Sequence, residues 1–341
     1  MKQMRGIIDL IKNETEYRKR CAETFIKSSY GEKNKYKKFR ILCNRSQWAG
    51  KQGLISTIFE ILPNIIEARQ HNYIPVIDLC QNSRCQILLQ EKQFAKQENA
   101  WEYYFTQPDK EILLKNVWKS MYVEKQIKPC RNNKYYIGDE CFKWDAKAQI
   151  LASAICQNIH LKKEIKDRLI YERNRLFKKK EKILGVAIRA GYRSGVLRKL
   201  SLYNGHPLVG SCIDYIRDIE KKLSSWKYNS FFLEVDDRKY LEEIKKYFGD
   251  VCIYLERPRF NFFQNVMEDI PYLNNDDIFA EFKEISIKER NIDYLVELYL
   301  LAYCDSLFAS RGTGQNFAYL LNNGRYSQIE FVDFGEFYYQ K

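Results

Sequence analysis

Long hydrophobic runs are missing from this sequence. The longest nearly unbroken one, Leu295 to Cys304, falls well short of the roughly 20 apolar residues a membrane helix needs, so no span is expected. Met1 to Ile11 starts basic, but its apolar stretch is brief and broken by charge. It lacks the hydrophobic region and small-residue cleavage site of a secretory signal, and the chain is expected to stay in the cytoplasm. Histidine and proline are scarce, 3 and 7 residues, and glycine is modest at 15, which excludes a low-complexity or fibrous chain. His71 and His160 show no partner pattern, and Cys80 and Cys85 have a spacing that matches no standard zinc site, so no metal centre is expected. Of the 10 cysteines, Cys43, Cys252 and Cys304 lie inside apolar runs and read as buried reduced thiols.

What is present is an ordinary globular composition rich in Tyr and Phe: 341 residues, 45% hydrophobic and 30% charged, long enough for two domains with real cores. The net charge of +13 is unevenly placed. Met1 to Phe39 holds 11 Lys/Arg against 5 Asp/Glu, and Leu161 to Lys182 holds 10 against 4, so these two segments carry almost all of the excess. In the second, Leu161, Ile165, Leu169 and Leu176 or Phe177 recur at helical spacing opposite the Lys/Arg, which predicts an amphipathic basic helix. Such a helix is either a solvated face before a domain boundary or a surface attracted to anionic lipid, each charge contributing about 1 kcal/mol. Nucleic acid is not an expected partner, because no helix-turn-helix, zinc-finger or RNA-recognition signature gives the charge a docking geometry.

Along the chain, Ile7, Ile8 and Ile11 suggest a first helix. Phe39 to Cys43 then reads as a buried strand, Asn44 to Gly53 as a loop with Gly50 and Gly53, Leu54 to His71 as a helix kinked at Pro63, and Tyr73 to Asp78 as a strand. Gln81 to Asp145 is aromatic and irregular. From Ile183 the alternation is cleaner. Strands are predicted at Leu184 to Ile188, Ser230 to Val235, Val251 to Leu255, Ser306 to Ala309 and Gln328 to Val332. Helices are predicted at Pro207 to Leu223, Asp237 to Phe248, Ile292 to Tyr303 and Gln315 to Leu321. That order calls for α/β architecture with parallel sheets covered on both faces, in two domains, residues 1–182 and 183–341. Two such units facing each other leave a cleft at the carboxyl ends of their strands, where ligands bind in open α/β sheets.

The loops after the strands of the second half hold the residues suited to chemistry: Arg189, then Asp236 and Asp237, then Arg257 and Arg259, then Ser310-Arg311-Gly312-Thr313-Gly314 before Gln315. A strand, a Gly-rich turn and a helix start converge backbone N–H groups on an anion, with the Ser310 and Thr313 hydroxyls beside them. A merely tight turn, a helix-capping Asp and a surface Arg are the bland readings of the same residues. A cation, an anion cradle and an Asp able to accept from a base N–H together point to a nucleoside diphosphate.

These segments also carry a resemblance. GVAIRAGYR (Gly185 to Arg193), GHP (Gly205 to Pro207), FFLEVDD (Phe231 to Asp237) and IDYLVELYLLAYCDSLFASRGTGQNFAYLLN (Ile292 to Asn322) resemble, in order and spacing, the donor-domain motifs of the fucosyltransferase superfamily. That superfamily contains α-1,6-fucosyltransferases, nodulation fucosyltransferases and protein O-fucosyltransferases. LCNRSQWAGKQGLISTIFEIL (Leu42 to Leu62), IPVIDL (Ile74 to Leu79) and NAWEYYF (Asn99 to Phe105) resemble the opening of bacterial members. The resemblance implies a GT-B fold, acceptor on the first Rossmann-like domain and GDP-sugar on the second, with inversion at the anomeric carbon and neither metal nor cofactor. It implies that Arg189 holds the donor phosphates, that Asp236, with Asp237 next to it, lies where guanine is bound, and that Ser310, Gly312, Thr313, Gly314 and Gln315 form the diphosphate loop. His206 matches the histidine of the family's His-Pro element. The expected partners are GDP-fucose or another GDP-sugar, and a glycan or lipid-linked saccharide.

The sequence departs from the family where a His would precede the arginine by two residues and an Asp would follow it. Ala187 and Tyr192-Arg193 stand there, and no Asp or Glu occurs between Arg189 and Asp214. The general base therefore stays open between His206 and an acid of the first domain, Asp78 or Glu60, with Gly50 in the same acceptor-side group. A non-catalytic nucleotide- or carbohydrate-binding relative and a peripheral membrane or nucleic-acid binder are the competing classes.

Overall fold

Phe39 to Cys43, expected to form a strand, holds the inner end of a longer one that finishes at Leu42. The computed structural model of the chain describes residues 15–43, 53–80, 98–128, 135, 143–178, 182–190, 206–207, 210–260 and 285–337. The chain divides into two compact units, Met1–Ile137 with Ser153–Lys162, and Gly138–Ala152 with Lys163–Lys341. The expected first helix at Ile7 to Ile11 lies outside the described residues.

In the first unit, helix α1 (15–24) leads into β1 (Phe25–Ser28) and β2 (Lys33–Leu42). Helix α2 (Leu54–Gln70) then crosses to β3 (Ile74–Ile77) and runs on through Pro63 with most of its residues buried. A 3₁₀ turn at Ala100–Tyr103 and a single-turn helix α3 (Leu114–Val117) precede β4 (Ser120–Gln126). The sheet order is β1-β4-β2-β3, with β2 parallel to β3 and β4, and β1 antiparallel at one edge. One face packs Phe39, Ile41, Val76, Val117 and Val123 into a core. The other face buries a charge. Arg40 sits opposite Glu124 in register, gives it hydrogen bonds of 3.0 and 2.6 Å, and stacks between the Phe25 and Tyr73 rings at 4.4 and 4.3 Å. A carboxylate partner and two aromatic faces offset the cost of taking a guanidinium out of water.

The second unit begins with α4 (Ala146–Asn158), which runs from it into the first, and α5 (Lys163–Phe177). The division expected at residue 182 falls earlier because α5 belongs here. Its Phe177 ring meets Phe232 edge-on at 5.6 Å, Arg168 pairs with Asp293, and the Arg173 guanidinium lies 4.2 Å from the Tyr303 ring centre.

Next come β5 (Leu184–Ile188), a two-residue strand β6 (His206–Pro207), α6 (Cys212–Trp226), β7 (Phe231–Val235), α7 (Arg238–Phe248) and β8 (Cys252–Tyr254). They are followed by α8 (Ile287–Ala302), β9 (Ser306–Ser310), α9 (Thr313–Asn322), β10 (Ile329–Val332) and β11 (Glu336–Phe337), which pairs with β6. The helix expected from Pro207 starts at Cys212, because Pro207 is in β6 and Ser211 with Asp214 forms the capping box. β5, β7 and β9 are buried from end to end, as strands covered on both faces must be. The five-stranded sheet is parallel throughout, in the order β10-β9-β5-β7-β8. On one face Val186, Ile188, Leu233 and Val235 pack against Tyr215 and Ile219 of α6 and Leu241 and Ile244 of α7. The other face meets α5, α8 and α9. Cys43, Cys252 and Cys304 are buried free thiols. Among the described residues no helix is long and apolar enough to cross a membrane.

Candidate functional site

The strand order of the second unit changes direction at β5. The chain adds β7 and β8 on one side of it and β9 and β10 on the other. The helices that follow β5 and β9, α6 and α9, lie on opposite faces of the sheet, the switch-point arrangement outside whose carboxyl ends ligands bind in open α/β sheets.

Arg189 is the first residue past β5. Its backbone N–H donates to Ser310 Oγ at 2.8 Å, which joins the ends of β5 and β9. Its Nη1 donates to the Tyr294 hydroxyl at 3.3 Å, and Nε stands 3.5 Å from Asp236 Oδ2. The Arg189 side chain is 32% exposed, so it is oriented by these two groups yet still reaches solvent.

The turn after β9 has no side-chain cap. Ser211, Asp237 and Ser286 cap α6, α7 and α8, whereas α9 starts from Gly312, which has no side chain to cap its first amides. The first N–H groups of a helix find no acceptor within it and carry the positive end of its dipole. Both glycines of the turn lie close to side chains, and at Gly314 the neighbour is a rigid ring. A Cβ on Gly314 would lie 1.9 Å from the Tyr294 hydroxyl oxygen, and one on Gly312 2.4 Å from Gln315 Oε1. The Tyr294 hydroxyl thus touches both the Arg189 guanidinium and the first turn of α9. Burial raises this phenol well above its usual range, so it stays a neutral donor.

One layer below, on the same sheet face, lies a polar cluster. Gln315 Nε2 donates to Glu234 Oε2 at 3.0 Å. Arg257 Nη2 is 3.8 Å from Glu234 Oε1 and its Nε donates to Glu297 Oε2 at 2.6 Å, while Arg259 Nη2 donates to Glu297 Oε1 at 3.3 Å. Burial pushes the Glu234 carboxyl up to about 8, with the Glu297 charge adding to the rise and Arg257 opposing it. Arg257 and Arg259, expected to face an anion, are instead 9% and 0% exposed and hold the loop after β8 onto α8.

The other expected residues divide as follows. Asp236 is nearly buried, and its Oδ1 accepts the Ala190 N–H at 2.8 Å while Oδ2 faces Arg189. Asp237, expected beside it on the donor, is 1% exposed and caps α7 by accepting the Tyr240 N–H at 3.0 Å. Gly312, Thr313, Gly314 and Gln315 form the first turn of α9 with its N-cap. His206 is in β6, where its backbone pairs opposite Phe337. In the first unit, Asp78 follows β3, is 4% exposed and accepts the Cys80 N–H, and Glu60 is half-buried on α2. Gly50 lies outside the described residues.

Tyr294, Glu234 and Glu297 were not among the expected site residues. Their signal was present: a Glu inside the strand FFLEV, and Tyr294 followed three residues on by Glu297, the one charge in the apolar run Leu295 to Ala302. The guanidinium, two hydroxyls and the amides at the start of α9 form a group of donors suited to an anion with several oxygens.

No family model matches the chain, and no curated protein matches it. Among solved structures it is similar to the fucosyltransferase NodZ from Bradyrhizobium, at 14% identity over 84% of this chain and 93% of that one, with a TM-score of 0.44. It is also similar to FUT1 of Arabidopsis thaliana in complex with GDP (10% identity, 92% and 73% of the two chains, TM-score 0.48). A third is POFUT1 in complex with GDP (9% identity, 86% and 98%, TM-score 0.47).

Proposed function

We propose that the chain is a glycosyltransferase whose second unit binds the diphosphate of a nucleotide sugar, GDP-fucose by the motif resemblance, and that it transfers the sugar to a glycan hydroxyl. One observation carries the reading: Arg189, held by Tyr294 and Asp236, stands with Ser310 beside the uncapped start of α9 at the switch point of a parallel sheet. The reaction is a direct displacement. The acceptor oxygen attacks the anomeric carbon as the bond to the diphosphate oxygen breaks, which inverts the configuration. Negative charge grows on the departing phosphate, and a guanidinium with fixed N–H donors stabilises it most at the transition state. In this reading the Arg189 guanidinium and the N–H donors, not a metal ion, hold the diphosphate. Asp236 lies where the resemblance puts guanine. His206, Glu60 and Asp78 stay the candidates for the group that takes the acceptor proton.

The test is a thermal-shift series with GDP, UDP, CMP and dTDP sugars, since a ligand of the native state alone raises apparent stability. GDP compounds are expected to shift the transition and the others not. Arg189→Ala should then lower transfer about 100- to 1000-fold while the protein stays folded, the usual effect of removing one such donor. Near-normal turnover in that variant rejects the assignment. Nucleotide binding with no turnover on any glycan acceptor points to the non-catalytic relative instead.

A further inference from the structure

The first unit carries a feature at the edge of its sheet opposite Asp78. β2 and β4 are parallel, and Asp78 follows the carboxyl end of β3 beside them. At their amino ends the register slips. Lys33 is opposite Ser120 but Lys38 is opposite Tyr122, so β2 advances five residues while β4 advances two. Residues 34–37 are looped out of the ladder, with Asn34 at φ 51° turning the chain and fastened by its Nδ2 to Ser120 Oγ at 2.8 Å. A bulge of this kind re-aims side chains. Here it aims Lys35, Tyr36 and Lys37 outward, and Tyr36 is 101% exposed, so folding gains nothing from its ring.

The surroundings share that character. Lys27, Lys33, Lys37 and Lys38 are exposed with Tyr36, and Ile26, Tyr30 and Tyr122 nearby are 50, 40 and 49% exposed. The one acid of segment 25–38, Glu32, lies 3.3 Å from Lys35. Lysines around projecting aromatic and aliphatic side chains match a bilayer interface, where anionic headgroups attract the charge and Tyr rings settle at the boundary. A nucleic-acid platform would call for a groove with base-stacking rings and arginines suited to phosphate; the cations of this segment are all lysine, on strand and loop. The basic helix α5, expected to offer such a surface, buries Ile165 and Leu169 in the second unit's own packing.

We propose that this lysine- and tyrosine-bearing edge docks the chain on an anionic membrane surface, independently of the nucleotide-site reading. The experiment is co-sedimentation of the full chain with vesicles of phosphatidylcholine alone or with about a third phosphatidylglycerol, at low and high salt. Binding is expected only to the anionic vesicles and is lost at high salt, because screening weakens exposed charges. Replacing Lys33, Lys35, Lys37 and Lys38 together by Ala should cut binding at least a hundredfold, each lysine being worth about fivefold. Tyr36→Ala should cut it severalfold at unchanged charge. All five side chains are exposed, so the melting temperature is expected to stay put. Equal binding by the parent and the four-lysine variant overturns the proposal. So does capture of single-stranded RNA, dependent on the same lysines, without any vesicle binding.

Discussion

Ser310 joins two strand ends through one hydroxyl. It accepts the Arg189 N–H and is 7% exposed, so Ser310→Ala leaves a part-buried donor unpaired, a loss of about 1–3 kcal/mol. The melting temperature should fall and GDP affinity should drop about tenfold, since Arg189 loses its anchor. Calorimetric titration checks this, and unchanged affinity would remove Ser310 from the site. Glu234 gives a prediction in pH. Its carboxyl is raised above the unfolded value, to about 8, so the folded state holds a proton that the unfolded state releases near 4.5. Stability from this group is therefore present below about 4.5 and is lost as pH climbs towards 8. Glu234→Gln keeps a partner for Gln315 and removes the titration. The melting temperature of the variant relative to the parent should rise steadily from pH 5 to 8.5; a flat difference contradicts the raised value. At this scale the meeting of Arg189 and Ser310 was legible because each stands at the carboxyl end of an apolar strand of one parallel sheet. Arg257 and Arg259 were misread because no sequence pattern reveals that Glu297, some forty residues on, folds against them.

At the scale of elements, the turn that opens α9 is built by its neighbours as much as by its own residues. Gly314 has no room for a methyl group because the Tyr294 hydroxyl of α8 occupies the space. Gly314→Ala should displace Tyr294, free the Arg189 side chain and weaken nucleotide binding tenfold or more. Adding Tyr294→Phe removes the oxygen that clashes, so the double variant should be more stable than Gly314→Ala alone. A double-mutant cycle measures that coupling, and simple additivity would mean the two residues do not meet in solution. Strands β5, β7 and β9 were readable from composition because two covered faces demand unbroken apolar sequence. β4 was not. In SMYVEKQ the residues facing inward include Ser120, Glu124 and Gln126 while Met121 and Tyr122 face water, the reverse of the usual alternation. The buried Arg40 is what demands the inward Glu124, and an arginine in β2 gives no local sign of it. The lysine-rich outer half of β2 escaped for a related reason, since its lysine side chains are exposed and only Lys33 and Lys38, at its two ends, pair with β4.

For the whole molecule, a parallel sheet was implied by the alternation of strands and helices, but neither its order β10-β9-β5-β7-β8 nor the place where the chain changes unit was. The run of lysines at the end of α5 suggests a linker, and charge marks solvent, not necessarily a boundary. The physical boundary follows apolar contact: Ile165 and Leu169 are buried, and Phe177 packs on Phe232 of β7, the neighbour of the central strand β5. A fragment starting at residue 183 would expose the Phe232 side of the sheet and leave Asp293 without Arg168, whereas one starting at residue 163 keeps both. Losing a buried aromatic contact and an amphipathic helix removes several kcal/mol, comparable with the whole stability of a domain. The fragment from 163 to 341 should therefore unfold cooperatively in urea and respond to GDP, while that from 183 to 341 should aggregate or melt without a sharp transition. Cooperative unfolding of the shorter fragment, with the same midpoint, would return α5 to the first unit.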